Sequence, residues 1–368
     1  MTINAAYRVG TTPVLISDFL VTTEPGNETG IEVPSFPRIS EVIDPLTGAP
    51  VIGLQRKVAR INPKLVVAGS GNGRSVETVL TRLNNFCLVS DSINDLKSYL
   101  STQNEFSGQK RCCLIGHLVN GSVNTFRWES HTKEFSIGIG FVEGSGAALF
   151  HEVVPAFNQQ ASPHPDFVFD RCAEDTLNVT ATLYANEIAI GNTLERHFGG
   201  GYDVFIFADG EFQRIDEVVY LFYHLEPRSD NTVRVGRAPV YIKNSYFGET
   251  GLVASFLTDT AIRRNSKPHQ RIALVRPCIN TNVADVPNMP ISDLPLGASR
   301  IAVGFIGKHI SGQSEVFTAI VQNKEAEMFK LHLTGETRDS LHEIRFDCPE
   351  VIMNNILAAA FQKFTRPT

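Results

Sequence analysis

The chain has 368 residues, 42% of them apolar and 20% charged, with a formal net charge of −6, which excludes a disordered, fibrous or strongly basic nucleic-acid-binding protein. It exceeds the roughly 250–300 residues at which single cores stop growing, so two domains, or one with a large extension, are expected. Six cysteines without CxxC spacing, no basic-then-apolar leader and no run near the ~18 apolar residues of a membrane span leave no zinc, redox, cofactor or membrane signal, and a cytoplasmic location is expected.

In chain order, Ile3–Val9 and Val14–Asp18 read as two strands flanking Gly10-Thr11-Thr12-Pro13, which has turn chemistry. Residues 24–55 carry Pro25, Gly26, Gly30, Pro34, Pro37, Pro45, Gly48 and Pro50, and read as a long loop. Arg56–Ile61 and Leu65–Ala68 are strand-like and lead into Gly69-Ser70-Gly71-Asn72-Gly73. Val76, Val79, Leu80, Leu83 and Phe86-Cys87 then recur on one face of a 3.6-residue period, predicting a helix, and a second, shorter helix is expected over Ser92–Leu100.

Cys112–Val119 and Ser122–Trp128 flank Asn120-Gly121, a strong hairpin signal. Phe135–Phe141 alternates as one strand, and Gly144-Ser145-Gly146 opens a helix that Pro155 stops. A long helix is predicted over Ala173–Arg196, with Leu177, Ala181, Tyr184 and Ile188 on its buried stripe. Gly199-Gly200-Gly201 precedes a strand at Tyr202–Phe207, an Asp209-Gly210 turn and a partner strand reaching Leu221. Strands, two helices, strands, two helices and strands predict a layered α+β domain over 1–225. Residues 226–368 read as a mainly β extension, with short strands at Val240, Ile272, Ile301 and Val316 and a final helix after Asp347-Cys348-Pro349-Glu350.

These motifs resemble, in order and spacing, a proteasome-type N-terminal nucleophile hydrolase, the class of proteasome β subunits and bacterial proteasome-like peptidases. Thr2 on the first strand and Asp18 on the second are sixteen residues apart. Lys57-Val58 leads to the Ala68-Gly69-Ser70-Gly71 turn and a helix. Gly144-Ser145-Gly146 opens the third helix, and Gly199-Gly200-Gly201 ends the helical pair. The resemblance covers about three-fifths of the chain. It implies a four-layer αββα sandwich carrying a mainly β C-terminal extension that ends in a helix. It also implies a homo-oligomer such as a ring, acting on a peptide or amide substrate without a cofactor or metal.

The chemistry such a site needs is present in kind. A threonine hydroxyl is a weak nucleophile until a base activates it. An α-amino group titrating near 7.7–8.0 can be that base once Met1 is removed and the chain starts at Thr2. Lys57 would lower the hydroxyl pKa, Asp18 would hold Lys57 charged, the Gly71 N–H would stabilise the oxyanion, and Ser145 takes a supporting role through the resemblance. Each residue also has a plain reading: Asp18 as a hairpin-end charge, Lys57 as a solvated strand-start residue, Ser145 as a helix N-cap. His117, His151 and His197 read as packed or surface residues. Glu195-Arg196-His197-Phe198 stands where the family has a second aspartate, so a non-catalytic scaffold or assembly subunit is the alternative function.

Overall fold

A computed structural model of the chain describes residues 2–23, 33–36, 50–87, 91–103, 106, 111–154, 169–227, 233–235, 240–257, 269–279, 300–308, 314–321, 330–337 and 340–365. The fold is α+β and built mainly from antiparallel sheets. The chain begins with β1 (Asn4–Val9), β2 (Thr12–Asp18), β3 (Leu20–Thr22), β4 (Val51–Leu54), β5 (Val58–Asn62) and β6 (Leu65–Gly71), then helices α1 (Gly73–Cys87) and α2 (Ile93–Thr102). Strands β7 (Cys112–Asn120), β8 (Ser122–Glu129), β9 (Phe135–Gly138) and β10 (Phe141–Glu143) precede α3 (Ala147–Val153), α4 (Phe169–Ile190) and α5 (Asn192–Glu195). β11 (Tyr202–Ala208), β12 (Glu211–Arg214), β13 (Val218–Pro227), β14 (Val233–Val235), β15 (Val240–Phe247), β16 (Thr250–Leu257) and β17 (His269–Val275) follow. The chain closes with β18 (Arg300–Lys308), β19 (Ser314–Val321), the β20 (Lys330–Thr337) and β21 (Ser340–Asp347) hairpin, and α6 (Glu350–Thr365).

One five-stranded sheet has the order β10-β1-β2-β11-β12 and a second the order β5-β6-β7-β8-β9. The side-chain period of two sorts their residues cleanly. Val66 and Ala68 face Ala6, Leu15, Phe205 and Phe212 of the first sheet, whereas Leu65 and Val67 turn the other way onto Val79, Leu80 and Leu83 of α1 and Leu96 and Leu100 of α2. The far face of the first sheet, with Ile3, Val14 and Ile16, packs on Phe150 of α3 and on Leu177, Ala181 and Tyr184 of α4. The same buried cluster continues through α4 to Val218, Tyr220, Ile242 and Ala302. Those residues belong to a third sheet of order β17-β16-β15-β13-β18-β19, in which β13 also carries β14 and pairs with β18 in parallel. Its opposite face, with Val219, Leu221 and Tyr241, is covered by Ile352, Met353, Ile356 and Ala360 of α6.

Several expectations are corrected. The first hairpin turns on Gly10, at φ 61°, and Thr11 alone, so Pro13 lies inside β2 opposite Arg8. Phe135–Phe141 is not one strand: it breaks at the exposed Ile139, leaving β9 on the second sheet and β10 on the first. The long helix starts at Phe169 and stops at Gly191, whose left-handed φ of 68° ends α4 before the short α5. β12 and β13 are separate strands, because residues 215–217 carry the chain from the first sheet to the third. Within 24–55, Val51–Leu54 forms a strand against β3, and Val33 and Ser35 are buried; 24–32 and 37–49 lie outside the described residues. Among the described residues no helix is long and apolar enough to cross a membrane.

His117 ties the two five-stranded sheets together. Its Nε2 donates to the Val14 carbonyl at 2.9 Å, so Nδ1 accepts from the Thr125 hydroxyl at 3.1 Å. Burial pushes the imidazole down to about 4. Between pH 6.5 and 4 the unfolded chain therefore binds a proton that the folded chain refuses, and stability falls as pH falls through that window, by about 3 kcal/mol at its lower end. Denaturant unfolding at pH 7 and pH 4 should show wild type losing that much more than His117→Gln, whatever the variant loses at both pH values.

Candidate active site

The strand–turn geometry puts Asp18 at the end of β2, directly across the sheet from the chain start, and buries it completely. An isolated carboxylate there would be costly. Five donors meet it. Oδ1 accepts from the Thr2 hydroxyl, from the Ile3 N–H at 2.9 Å and from Lys57 Nζ at 2.7 Å. Oδ2 accepts from the Leu20 N–H at 3.1 Å and the Gly199 N–H at 3.0 Å. Thr2 and Lys57 thus share one oxygen and lie within two hydrogen-bond lengths of each other. Lys57 stands just before β5, 12% exposed, with its carbonyl taken by the Gly69 N–H at 2.9 Å. Burial lowers its ammonium below the ordinary lysine value, and the Asp18 charge opposes that shift.

Glycines let the backbone approach these side chains. Gly144 has φ 103°, and a Cβ there would sit 1.9 Å from the Thr2 carbonyl oxygen. That oxygen accepts from the Gly146 N–H at 3.2 Å, which fastens the start of β1 to the start of α3. Ser145 is exposed and is not the N-cap expected of it; Gly146 holds that position with no side-chain cap. Gly199, at φ 124°, leaves room for Glu187, whose Oε2 would lie 1.9 Å from an added Cβ.

Glu187 is the group the sequence reading missed. It is fully buried on α4 and accepts from the Ser35 hydroxyl, the Thr193 hydroxyl at 2.8 Å and the Gly200 N–H at 3.1 Å. It therefore holds the glycine loop that presents Gly199 to Asp18. Burial raises its carboxyl to about 7. The signal was legible: Glu187 extends the buried line Thr176, Thr180 and Tyr184 along α4, a place where glutamate is uncommon without partners.

Two cavities meet at Thr2, Ser70 and Gly71. One, of about 80 Å³, continues along Leu20, Val21, Lys57, Val76 and Cys278. The other, of about 410 Å³, continues along Arg111, Cys113 and Glu143–Ser145. The structure thus brings Thr2, Asp18 and Lys57 into contact and sets Gly71 and Ser145 on the same cavity walls as Thr2. Gly71 takes φ 110° at the end of β6, against the Arg111 carbonyl, and Asn72 then starts α1 by accepting from the Ser75 N–H at 3.2 Å.

Next to Lys57, Arg56 is buried in a charged cluster. Its Nε donates to Asp203 Oδ2 at 2.9 Å, its Nη1 reaches the Glu249 carboxylate and, at 2.9 Å, the Glu249 carbonyl, and Tyr246 donates to Asp203 Oδ1 at 2.6 Å. Burial works against the guanidinium charge, but Asp203, Tyr246 and Glu249 outweigh it and hold the group above its ordinary value. Cys112, Cys113, Cys172 and Cys278 are buried free thiols, and His117 is packed, His151 exposed and His197 half-buried. Among the described residues no three His, Cys, Asp or Glu side chains gather as metal ligands. No protein-family model matches this chain, and no curated protein matches it.

Gly144→Ala should displace Thr2 and cost at least about 2 kcal/mol in denaturant unfolding, since it combines a disfavoured φ with a backbone overlap. Ser145→Ala, one residue on and exposed, should stay within about 0.5 kcal/mol. For Glu187, the folded carboxyl keeps its proton up to about pH 7 while the unfolded one loses it near 4.5. Wild type should therefore lose stability as pH rises from 4.5 to 8, and Glu187→Gln should remove that loss.

Proposed function

We propose that the chain is a threonine-type N-terminal nucleophile hydrolase that cleaves peptide or amide bonds, on a proteasome-like αββα arrangement of α1/α2, two sheets and α3/α4. The observation that carries this reading is the shared oxygen of Asp18, which joins the Thr2 hydroxyl and the Lys57 ammonium at the junction of two cavities. Burial of the third sheet against α4 supports treating residues beyond 225 as an elaboration on the outer helix layer.

In this reading, removal of whatever precedes Thr2 exposes its α-amine. The Thr2 Oγ attacks the substrate carbonyl carbon and its proton passes to that amine. Lys57, held charged by Asp18, lowers the cost of developing negative charge on Oγ. The Gly71 N–H, on the wall shared by both cavities, stabilises the oxyanion, an effect worth about 3–4 kcal/mol per donor in acyl-transfer enzymes. The amine then protonates the leaving nitrogen, the C–N bond breaks, and an ester to Thr2 remains. Water, deprotonated by the same amine, attacks the ester and returns the free threonine. Ser145, exposed beside Thr2, borders the path of substrate and water. A homo-oligomer such as a ring, working in the cytoplasm, completes the proposal; the buried free thiols fit a reducing compartment.

The second reading, a non-catalytic scaffold, draws on one observation: Thr2 is buried, 2% exposed, and its hydroxyl is tied to the Asp18 carboxylate. Intact-mass measurement separates the two. A chain beginning at Thr2 should take up one equivalent of a threonine-directed covalent inhibitor on its N-terminal peptide. Thr2→Ala should abolish the adduct, and Lys57→Ala should slow its formation at least about 100-fold. Met1 retained on all molecules would favour the scaffold, and labelling that survives Thr2→Ala would sink the assignment of Thr2 as the nucleophile.

A further inference from the structure

Arg56 immediately precedes Lys57 and is as buried as a core residue, 1% exposed. Two ion pairs therefore stand side by side. Lys57 pairs with Asp18 of β2, and Arg56 pairs with Asp203 of β11, which lies across the sheet from Ser17, the residue before Asp18. Backbone bonds fix the same stretch at each residue. The Gln55 N–H donates to the Phe19 carbonyl at 2.8 Å, the Arg56 N–H donates to the Arg276 carbonyl at 2.8 Å, and the Lys57 carbonyl accepts from Gly69. One planar peptide unit joins the two residues, so a shift of Arg56 passes directly to Lys57.

The Arg56 side chain is held from the third sheet. β15 and β16 turn on Gly248-Glu249, with Gly248 at φ 59°. One oxygen of that turn, Glu249 Oε2, meets Arg56 Nη1 and, at 3.5 Å, Arg214 Nη1. The Tyr246 ring lies against both guanidiniums, 4.0 Å from that of Arg214 and 5.5 Å from that of Arg56, and its hydroxyl donates to Asp203. Arg214 also donates to the Gly248 carbonyl at 2.8 Å, which fastens the turn. Glu249 is 54% exposed, so the turn carries a solvent-facing carboxylate onto a buried charge next to Lys57. An exposed carboxylate adds little to stability by itself, but a buried guanidinium that loses a partner is left undercompensated and must move to recover one. A misplacement of about 1 Å can cost a positioned catalytic group roughly 100-fold in rate. We propose that Arg56 is a positioning residue for Lys57 and that Glu249 sets its position, so that the third sheet controls how firmly Lys57 is held against Asp18. The consequence for Thr2 rests on the hydrolase reading, but the hold on Lys57 does not.

Two readouts on the full chain test this. The first needs no catalysis: trace acetic anhydride at pH 8 acetylates neutral amines, and mass spectrometry gives the rate at Lys57 relative to the exposed Lys64. Glu249→Ala should raise that ratio at least about fivefold, because Lys57 is released from Asp18 more often. Glu211→Ala removes another surface carboxylate, one that pairs with Arg60 at 3.7 Å, and should leave the ratio unchanged. The second readout is covalent labelling of Thr2. Glu249→Ala should slow the saturated labelling rate at least about tenfold with the half-saturating inhibitor concentration within about twofold, and should slow nothing further in a Lys57→Ala background. A merely structural role would cost the same in both backgrounds. Melting curves identify a variant that fails to fold, and Glu249→Gln, which keeps the shape, carries the test if Glu249→Ala does. An unchanged Lys57 ratio in the folded Glu249 variant, an equal rise in Glu211→Ala, or labelling losses that add in the Lys57→Ala background overturns the proposal. Faster acetylation of Lys57 on a protein whose Thr2 never labels would sink the hydrolase reading and leave the hold on Lys57 standing.

Discussion

The Asp18 carboxylate is the constraint around which the site is arranged. A fully buried charge costs several kcal/mol unless its oxygens are satisfied, and removing one partner of such a pair is more damaging than never having made it. Here the satisfaction comes from four separate stretches of chain: the residues just before β1, the first residue of β3, the residue before β5 and the glycine loop before β11. Each must arrive for the charge to be tolerated. The consequence is that Thr2 and Lys57 are held against one another by a requirement of folding, before any requirement of chemistry. A site assembled in this way is fixed by several independent contacts, as the proposed nucleophile would require.

A second ring of buried polar groups supports the first. Glu187 holds the glycine loop, and Arg56 is gripped by Asp203, Tyr246 and Glu249 immediately before Lys57. Glu249 and Tyr246 belong to the β15–β16 hairpin, and Ser35, from the proline-rich segment, reaches Glu187. Ser255 of β16 in turn donates to the Pro34 carbonyl at 2.6 Å. The third sheet is therefore joined to the site by hydrogen bonds as well as by the apolar core it shares with α4. The residues beyond 225 cannot be treated as a passive appendage to the glycine loop and Lys57.

How much was legible varied with distance along the chain. Local signals transferred well. Asn120-Gly121 made its hairpin and the 3.6-residue period from Val76 made α1, because turn chemistry and amphipathic spacing act over a few residues; the last helix also formed, but it starts at Glu350, since Asp347, read as its N-cap, ends β21. The Thr2–Asp18 pair was also within reach, since a hairpin brings positions across its turn together by registry alone. Non-local choices were not legible. Nothing in Phe135–Phe141 signals that two neighbouring pieces of one apolar run pair with different sheets, and nothing in Val218–Leu221 signals that it leaves β12 for a parallel partner eighty residues on. Both depend on which edge strand is free when the sheets assemble.

Sequence alone determined the placement of a hydroxyl at position 2, a carboxylate sixteen residues later, a lysine before an apolar strand, and glycines where backbone must come close. Those are matters of residue type and hairpin registry. Tertiary structure decided that the hydroxyl and the lysine share one carboxylate oxygen, that a buried helix glutamate holds the glycine loop, and that Cys278 lines a cavity beside Thr2. The reason is physical: burial of a charge and closure of a cavity depend on every surface packed around a point, and those surfaces come from stretches of chain up to 276 residues from Thr2.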